Sequence, residues 1–233
     1  MKIILIAGMK QSGSTLTFNL IQQLYKNIGL KVDSCWIHDY YKNDFNHECD
    51  ILVIKAHEFD NRMITKIHKI ILPIRDVRDA AISAFVRFME KKPLDMNYCI
   101  KKMEENINIF NMWTTHLHNN NIQFFEFIYE TYKMNPHEYI KSLLNYLEIQ
   151  IASNLIIQVI EYVDQLHISK DIVIKDDFTY KNLQYKKTLI TQNHNTSGGK
   201  SKKYESFFNK EQNAMILKNN KIHNFLKIYG YCL

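Results

Sequence analysis

The stretch Gly8–Thr15 reads GMKQSGST, and it decides the fold of this chain. It follows a short apolar run, Lys2–Ala7, and precedes a segment from about Leu16 to Leu24 whose apolar residues recur with helical spacing. A strand, a glycine-containing loop and a helix N-terminus in this order offer backbone N–H groups to an anion such as phosphate. An ordinary strand-to-helix turn has the same pattern, so the role of the loop depends on the other segments.

The glycine spacing is that of a Walker A loop with one change. Gly8 and Gly13 are separated by four residues, but Ser14 stands where a Walker A loop has its lysine. Kinases and NTPases use that lysine on the β- and γ-phosphates of their nucleotide. The loop therefore favours a shorter anionic group over a triphosphate with Mg²⁺.

Short apolar runs alternate with helical patterns along the chain. Such runs are typical of buried parallel strands, and they predict strands over Lys2–Ala7, Lys31–Ile37, Ile51–Lys55, Ile70–Ile74 and Ile122–Ile128. Helical spacing predicts helices over Ser14–Ile28, Asn61–Lys69, Val77–Glu90, Asn97–His118, His137–Leu147 and Ala152–Leu166. The alternation predicts a three-layer, P-loop-like α/β fold with a central parallel sheet flanked by helices. We expect residues 1–233 to form a single domain.

The net charge and the cysteine content limit which binding partners and which cellular location we expect. The net charge is +6, which suits a partner carrying phosphate or sulfate but is too small to require nucleic acid. The four cysteines are scattered without a C-x-x-C pair, so we expect no zinc or other metal site, no disulfide framework and a cytoplasmic location. The apolar run at the N-terminus is about five residues long, too short for a signal peptide or a membrane span, and no other run reaches membrane length.

Polar residues follow the predicted strands at the edge of the sheet where ligands bind. The third strand ends in KAH, which contains Lys55 and His57. The fourth ends at Arg75, with Ser83 eight residues later on the next helix, and the fifth ends at Tyr129. We expect these side chains to meet the glycine loop at one edge.

Two of these groups point to acid–base and charge-stabilising chemistry. A neutral imidazole near pH 7 suits removal of a proton from an alcohol or phenol, so His57 is the candidate general base. Lys55 and Lys10 are candidates for neutralising negative charge that grows on an oxygen during group transfer.

Arg75 is the candidate for binding a second anionic group. Its guanidinium can form paired hydrogen bonds with a phosphate, and Ser83 can add a hydroxyl donor. The alternative is an ion pair with Asp76 or Asp79. Arg78, on the following helix, is expected to be a solvated residue.

These motifs, in this order, resemble those of the sulfotransferase superfamily, which uses the donor 3′-phosphoadenosine-5′-phosphosulfate (PAPS). Gly8–Thr15 is similar to the family's 5′-phosphosulfate loop, and Arg75–Ser83 to its 3′-phosphate segment. Lys55-x-His57 resembles the lysine–histidine segment of the cytosolic branch. Tyr129-Glu130 resembles the Tyr-Glu-Asp segment, and Gly198–Phe208 is a loose match to the glycine-rich C-terminal loop.

The resemblance implies transfer of a sulfuryl group from PAPS to a hydroxyl or amine, with release of 3′-phosphoadenosine-5′-phosphate (PAP) and without a metal. It implies a donor site formed by Lys10, Gln11, Ser12, Gly13, Ser14, Thr15, Leu16, Arg75, Ser83, Tyr129, Ser197, Gly198, Gly199 and Lys200. Phe178 is a further candidate, because its ring could contact the adenine, and the alternative for this residue is packing in the core. The acceptor class stays open among small molecules, glycans and lipids, and nothing in the sequence indicates the oligomeric state.

The loop departs from the family pattern at one position, and two alternative functions are therefore considered. The family has a basic residue directly before its Ser-Gly pair, but Gln11 stands there and the charge lies one place earlier, at Lys10. The alternatives are a P-loop kinase of a small molecule or nucleotide, and a sulfotransferase-like module that binds a nucleotide without chemistry. The missing Walker lysine opposes the first, and the presence of His57 and Arg75 opposes the second.

Overall fold

The computed structural model of the protein describes residues 1–89, 92–168, 187–190 and 199–231. The strands are β1 (Lys2–Ile6), β2 (Val32–Trp36), β3 (Ile51–Lys55), β4 (Lys69–Ile74) and β5 (Phe125–Ile128). The helices are α1 (Ser14–Asn27), α2 (Ile37–Tyr41), α3 (Val77–Phe88), α4 (Met96–Asn119), α5 (Tyr129–Met134), α6 (Pro136–Leu147), α7 (Ser153–Ile168), α8 (Lys210–Lys218) and α9 (Asn220–Ile228). Two 3-10 turns, Asn61–Lys66 and Lys203–Ser206, complete the description.

The five strands form one sheet in the order β2-β3-β1-β4-β5, and every neighbouring pair is parallel. β1 therefore lies at the centre, with β3 on one side and β4 on the other. This arrangement confirms the predicted α/β fold with a central parallel sheet. It also brings the loop after β1 beside the carboxyl ends of β3 and β4.

Both faces of the sheet are covered by helices, which gives three layers. Successive side chains of β1 lie on opposite faces of the sheet. Ile3 and Leu5 pack in one apolar core, and Ile4 and Ile6 pack in the other. Residues of α3, α4, α8 and α9 contribute to the first core, and residues of α1, α6 and α7 to the second. Strands buried on both faces explain why their sequences read as continuous apolar runs.

The predicted elements differ from the observed ones mainly at their ends. The helix predicted over Asn61–Lys69 is a 3-10 turn that stops at Lys66, because Lys69 pairs with Ile4 in the sheet. The short helix α2 was not predicted, nor were α8 and α9 near the C-terminus. Helix α5 begins at Tyr129 with no loop after β5.

Within the described residues, no helix combines the length and the apolar character needed to cross a bilayer. The cysteines at positions 35, 49 and 99 are buried free thiols.

Candidate active site

The glycine loop after β1 has a backbone shape that its glycines make possible. Gly8 and Gly13 have φ angles of 109° and 88°, and Gln11 also adopts the left-handed region at 60°. The Ser12 hydroxyl donates to the carbonyl oxygen of Met9 at 2.8 Å, which closes the loop on itself. The loop therefore leads directly into the N-terminus of α1, where backbone N–H groups are available to an anion.

The ring of Tyr129 packs against this loop and against the C-terminal segment. A Cβ atom at Gly13 would lie 2.5 Å from Cδ2 of Tyr129, and a Cβ atom at Gly199 would lie 2.5 Å from its hydroxyl. That hydroxyl donates to the carbonyl oxygen of Gly199 at 2.7 Å. Tyr129 therefore fills the space between the two glycines.

Lys55 ends β3 beneath the loop. Its ammonium group donates to the Thr15 hydroxyl at 2.5 Å and lies 4.9 Å from the centroid of the Trp36 ring. The side chain is buried, and burial, followed by the positive charge of Arg87, lowers the pKa of Lys55 to about 7. A nearby anion would restore its full charge.

His57 is held in a defined tautomer. Its Nδ1 lies 3.0 Å from the carbonyl oxygen of Gly8, and a carbonyl only accepts, so Nδ1 carries the proton. Nε2 is then left with its lone pair. Burial, followed by the positive charges of Lys55 and Lys10, holds the pKa of His57 well below its usual range, so the ring is neutral at pH 7.

Arg75 directly follows β4 and contacts both the glycine loop, at the carbonyl oxygen of Gln11, and the C-terminal segment. Its guanidinium donates to the carbonyl oxygen of Lys200 at 2.9 Å and lies 3.4 Å from the Ser83 hydroxyl. It also lies 3.5 Å from a carboxylate oxygen of Asp79, so the ion pair that the sequence left as the alternative to phosphate binding is present. Two atoms in this group, Nε of Arg75 and Oδ2 of Asp79, are buried and have no hydrogen-bond partner among the described residues.

Arg78 corrects one expectation, since it is buried and not solvated. Its guanidinium pairs with both carboxylate oxygens of Asp76, at 2.6–3.2 Å, and donates to the carbonyl oxygen of Tyr231 at 2.8 Å. The ring of Tyr204 lies 3.8 Å from the guanidinium carbon. The C-terminal residues, which lie far away in sequence, supply the partners that remove Arg78 from solvent.

The predicted site residues divide into three groups. The structure brings the loop residues, Lys55, His57, Arg75, Ser83, Tyr129, Gly199 and Lys200 to one edge of the sheet. The side chain of Leu16 belongs to the apolar core, so only its backbone is available to a ligand. Phe178, Ser197 and Gly198 lie outside the described residues.

Sequence reasoning missed Asn106 and gave Glu130 no role of its own, yet both residues shape this edge. Asn106 of α4 binds the backbone of Lys10 through its side-chain amide. Glu130 accepts from the backbone N–H of Asp76 at 3.1 Å and from the Tyr231 hydroxyl at 2.7 Å. A signal for Asn106 was present, since it is a polar residue on the buried stripe of α4 that includes Met103 and Phe110.

No group of three or more His, Cys, Asp or Glu side chains in the described part of the chain could hold a metal ion.

A model of the sulfotransferase domain matches residues 2–221, nearly the whole chain. The chain belongs to the sulfotransferase family. Its fold is similar to that of mouse sulfotransferase SULT7A1, which was solved in complex with PAP. The TM-score is 0.67 at 14% sequence identity, and the comparison covers 100% of this chain and 89% of that one. Two solved structures of retinol dehydratase are also similar, each with a TM-score of 0.60 and coverage of 97% of this chain and 82% of that one. The complex with androsterone and the inactive cofactor PAP is 14% identical to this chain, and the complex with retinol and PAP is 15% identical. No curated protein matches the sequence significantly.

Proposed function

We propose that this sulfotransferase-family chain transfers a sulfuryl group from PAPS to a hydroxyl or amine of a small-molecule, glycan or lipid acceptor. One observation carries the proposal: the glycine loop, the Lys55–His57 pair and the Arg75–Ser83 pair meet at one edge of the sheet. Solved proteins with this fold hold PAP, the nucleotide left after transfer, which supports PAPS as donor. The free thiols at positions 35, 49 and 99 fit a cytoplasmic setting.

The donor is expected to lie across the loop with its two anionic ends apart. The backbone N–H groups of the loop and the positive end of α1 receive the 5′-phosphosulfate. Arg75, with Ser83 beside it, receives the 3′-phosphate by exchanging its contacts with Asp79 and Lys200 for the phosphate oxygens.

His57 is proposed as the general base. Nε2 takes the acceptor proton while the acceptor oxygen forms a bond to sulfur and the bond from sulfur to the 5′-phosphate oxygen breaks. Nδ1 stays protonated on the Gly8 carbonyl, so the ring keeps its orientation through the step. Lys55 and Lys10 offset the negative charge that grows on the bridging oxygen as PAP departs.

The proposal predicts that the protein binds PAP without added metal. Calorimetry in the presence of EDTA should detect binding that weakens as salt rises, because the contacts are between charged groups. An acceptor screen read by mass for the added sulfate then separates an enzyme from a module that only binds the nucleotide. Absence of PAP binding at low salt contradicts the proposal.

Arg75→Ala should weaken PAP binding by about 1.5–3 kcal/mol, the usual contribution of hydrogen bonds to a charged group. Binding of adenosine 5′-phosphosulfate, which lacks the 3′-phosphate, should change little, and calorimetry on both nucleotides makes the comparison. Arg75 also holds the Lys200 carbonyl, so circular dichroism should first show that the variant is folded. Equal losses for both nucleotides would mean that Arg75 only supports the structure.

A further inference from the structure

The side-chain amide of Asn106 forms two hydrogen bonds with the backbone of a single residue in the glycine loop. The N–H of Lys10 donates to Oδ1 of Asn106 at 2.8 Å, and Nδ2 of Asn106 donates to the Lys10 carbonyl oxygen at 3.1 Å. Asn106 is 4% exposed and lies 96 residues away in the chain, on the buried face of α4. The amide thus pairs with Lys10 as a neighbouring β-strand would.

This pair of bonds fixes the part of the loop that carries the departure from the family pattern. Gln11, which stands where the family has a basic residue, turns the backbone into the left-handed region directly after Lys10. On the other side, Met9 is fully buried and accepts from the Ser12 hydroxyl. With both main-chain polar groups of Lys10 bound to Asn106, the backbone from which its side chain extends is held by α4.

The charge of Lys10 acts on the centre of the site. Lys10 is exposed at the loop surface, yet its positive charge is one of the causes that lower the pKa of His57. His57 hydrogen-bonds to the carbonyl oxygen of Gly8, two residues before Lys10, so the imidazole and Lys10 belong to the same loop region of the site.

We propose that Asn106 is a positioning residue, which holds the Lys10 backbone so that the Lys10 ammonium lies beside the transferring group and replaces the basic residue missing at Gln11. This inference rests on the proposed sulfuryl transfer and deepens it. Lys10 is the residue that meets the donor, and Asn106 acts only through Lys10.

A double-mutant cycle tests the inference through the measured kcat. Asn106→Leu is close in size and removes both hydrogen bonds, and we expect it to lower kcat by about 10–100-fold, because small displacements of a catalytic group have effects of this size. Lys10→Ala should cause a loss of similar size. The double variant should be no slower than Lys10→Ala alone, since Asn106 has nothing left to position. Losses that multiply in the double variant overturn the inference, as does a folded Asn106→Leu protein with the wild-type kcat.

An NMR titration measures the pKa of His57, which general damage to the fold would not raise in the same way in both variants. If Asn106→Leu releases Lys10, a positive charge leaves the neighbourhood of His57 and the His57 pKa should rise, as it should in Lys10→Ala. An unchanged titration in Asn106→Leu overturns the inference. Asn111→Leu, an exposed substitution on the same helix, is the matched control and should alter neither kcat nor the titration.

A second variant covers a folding failure, and the His57 titration covers an inactive wild-type protein. If Asn106→Leu fails to fold, Asn106→Ala also removes both hydrogen bonds without adding a charge, and the same rise in the His57 pKa is then expected. If the wild-type protein binds no PAP and shows no turnover, the proposed function fails, whereas the His57 titration still tests the link between Asn106 and Lys10.

Discussion

His57→Ala is expected to lower turnover by about 10²–10⁴-fold, the usual contribution of a positioned acid–base group. Binding of PAP should be nearly unchanged, because His57 touches the Gly8 carbonyl and not the anion cradle at the start of α1. Single-turnover kinetics measure the chemical step, and calorimetry measures PAP binding. A His57→Ala protein with the wild-type rate, when chemistry is rate-limiting, would show that the base lies elsewhere.

The pH dependence separates the base from its charged neighbour. The pKa of His57 is depressed, so the imidazole stays neutral as pH falls past its ordinary value of about 6.5, and the base is lost only at lower pH. The acid limb of kcat/KM, at limiting donor and acceptor, should accordingly lie below pH ~6.5. Lys55→Ala removes a positive charge beside the ring, so its acid limb should persist but move to higher pH. His57→Ala should lose that limb.

Arg78→Met is expected to lower the free energy of unfolding by about 3–5 kcal/mol, because it leaves the buried Asp76 carboxylate without its partner. The same change frees the Tyr231 carbonyl and so loosens the C-terminal segment. Urea denaturation measures the loss. Arg78→Met combined with Asp76→Asn should recover part of it, since the unpaired charge is then gone.

The chain contains a matched control for this prediction. Arg62 binds Asp60, two residues before it, through the same set of backbone and side-chain hydrogen bonds. The Arg62 side chain is 69% exposed, against 4% for Arg78. Arg62→Met should therefore leave stability nearly unchanged, as is usual for exposed ion pairs. Equal losses at the two positions would contradict the assignment of the Arg78 effect to burial.

The sequence predicted the features that depend on local pattern. Apolar runs such as Ile51–Lys55 are continuous because both faces of the sheet are covered, and they located the strands and hence the edge where ligands bind. The glycine loop was predictable because the chain must turn sharply between β1 and α1, which requires Gly13 at its φ of 88°.

Features that depend on distant partners were not predictable from local pattern. Arg78 has the spacing of a solvated helix residue, but the C-terminal residues Tyr204 and Tyr231 pack against its guanidinium and help to bury it. Helical spacing places Asn106 on the buried stripe of α4, but it does not identify the loop at Lys10 as the partner of its side chain. In both cases the partner lies roughly a hundred residues or more away, beyond the reach of periodicity or capping rules.

The central place of β1 has a consequence for biosynthesis. β1 is translated before β3 and β4, yet both of its hydrogen-bonding edges depend on them. A nascent chain therefore carries β1 with at least one unpaired edge until Lys69–Ile74 has left the ribosome, and parallel strands joined by long crossovers assemble slowly. Chaperone supply and growth temperature during expression, more than the stability of the finished molecule, should govern how much protein is recovered.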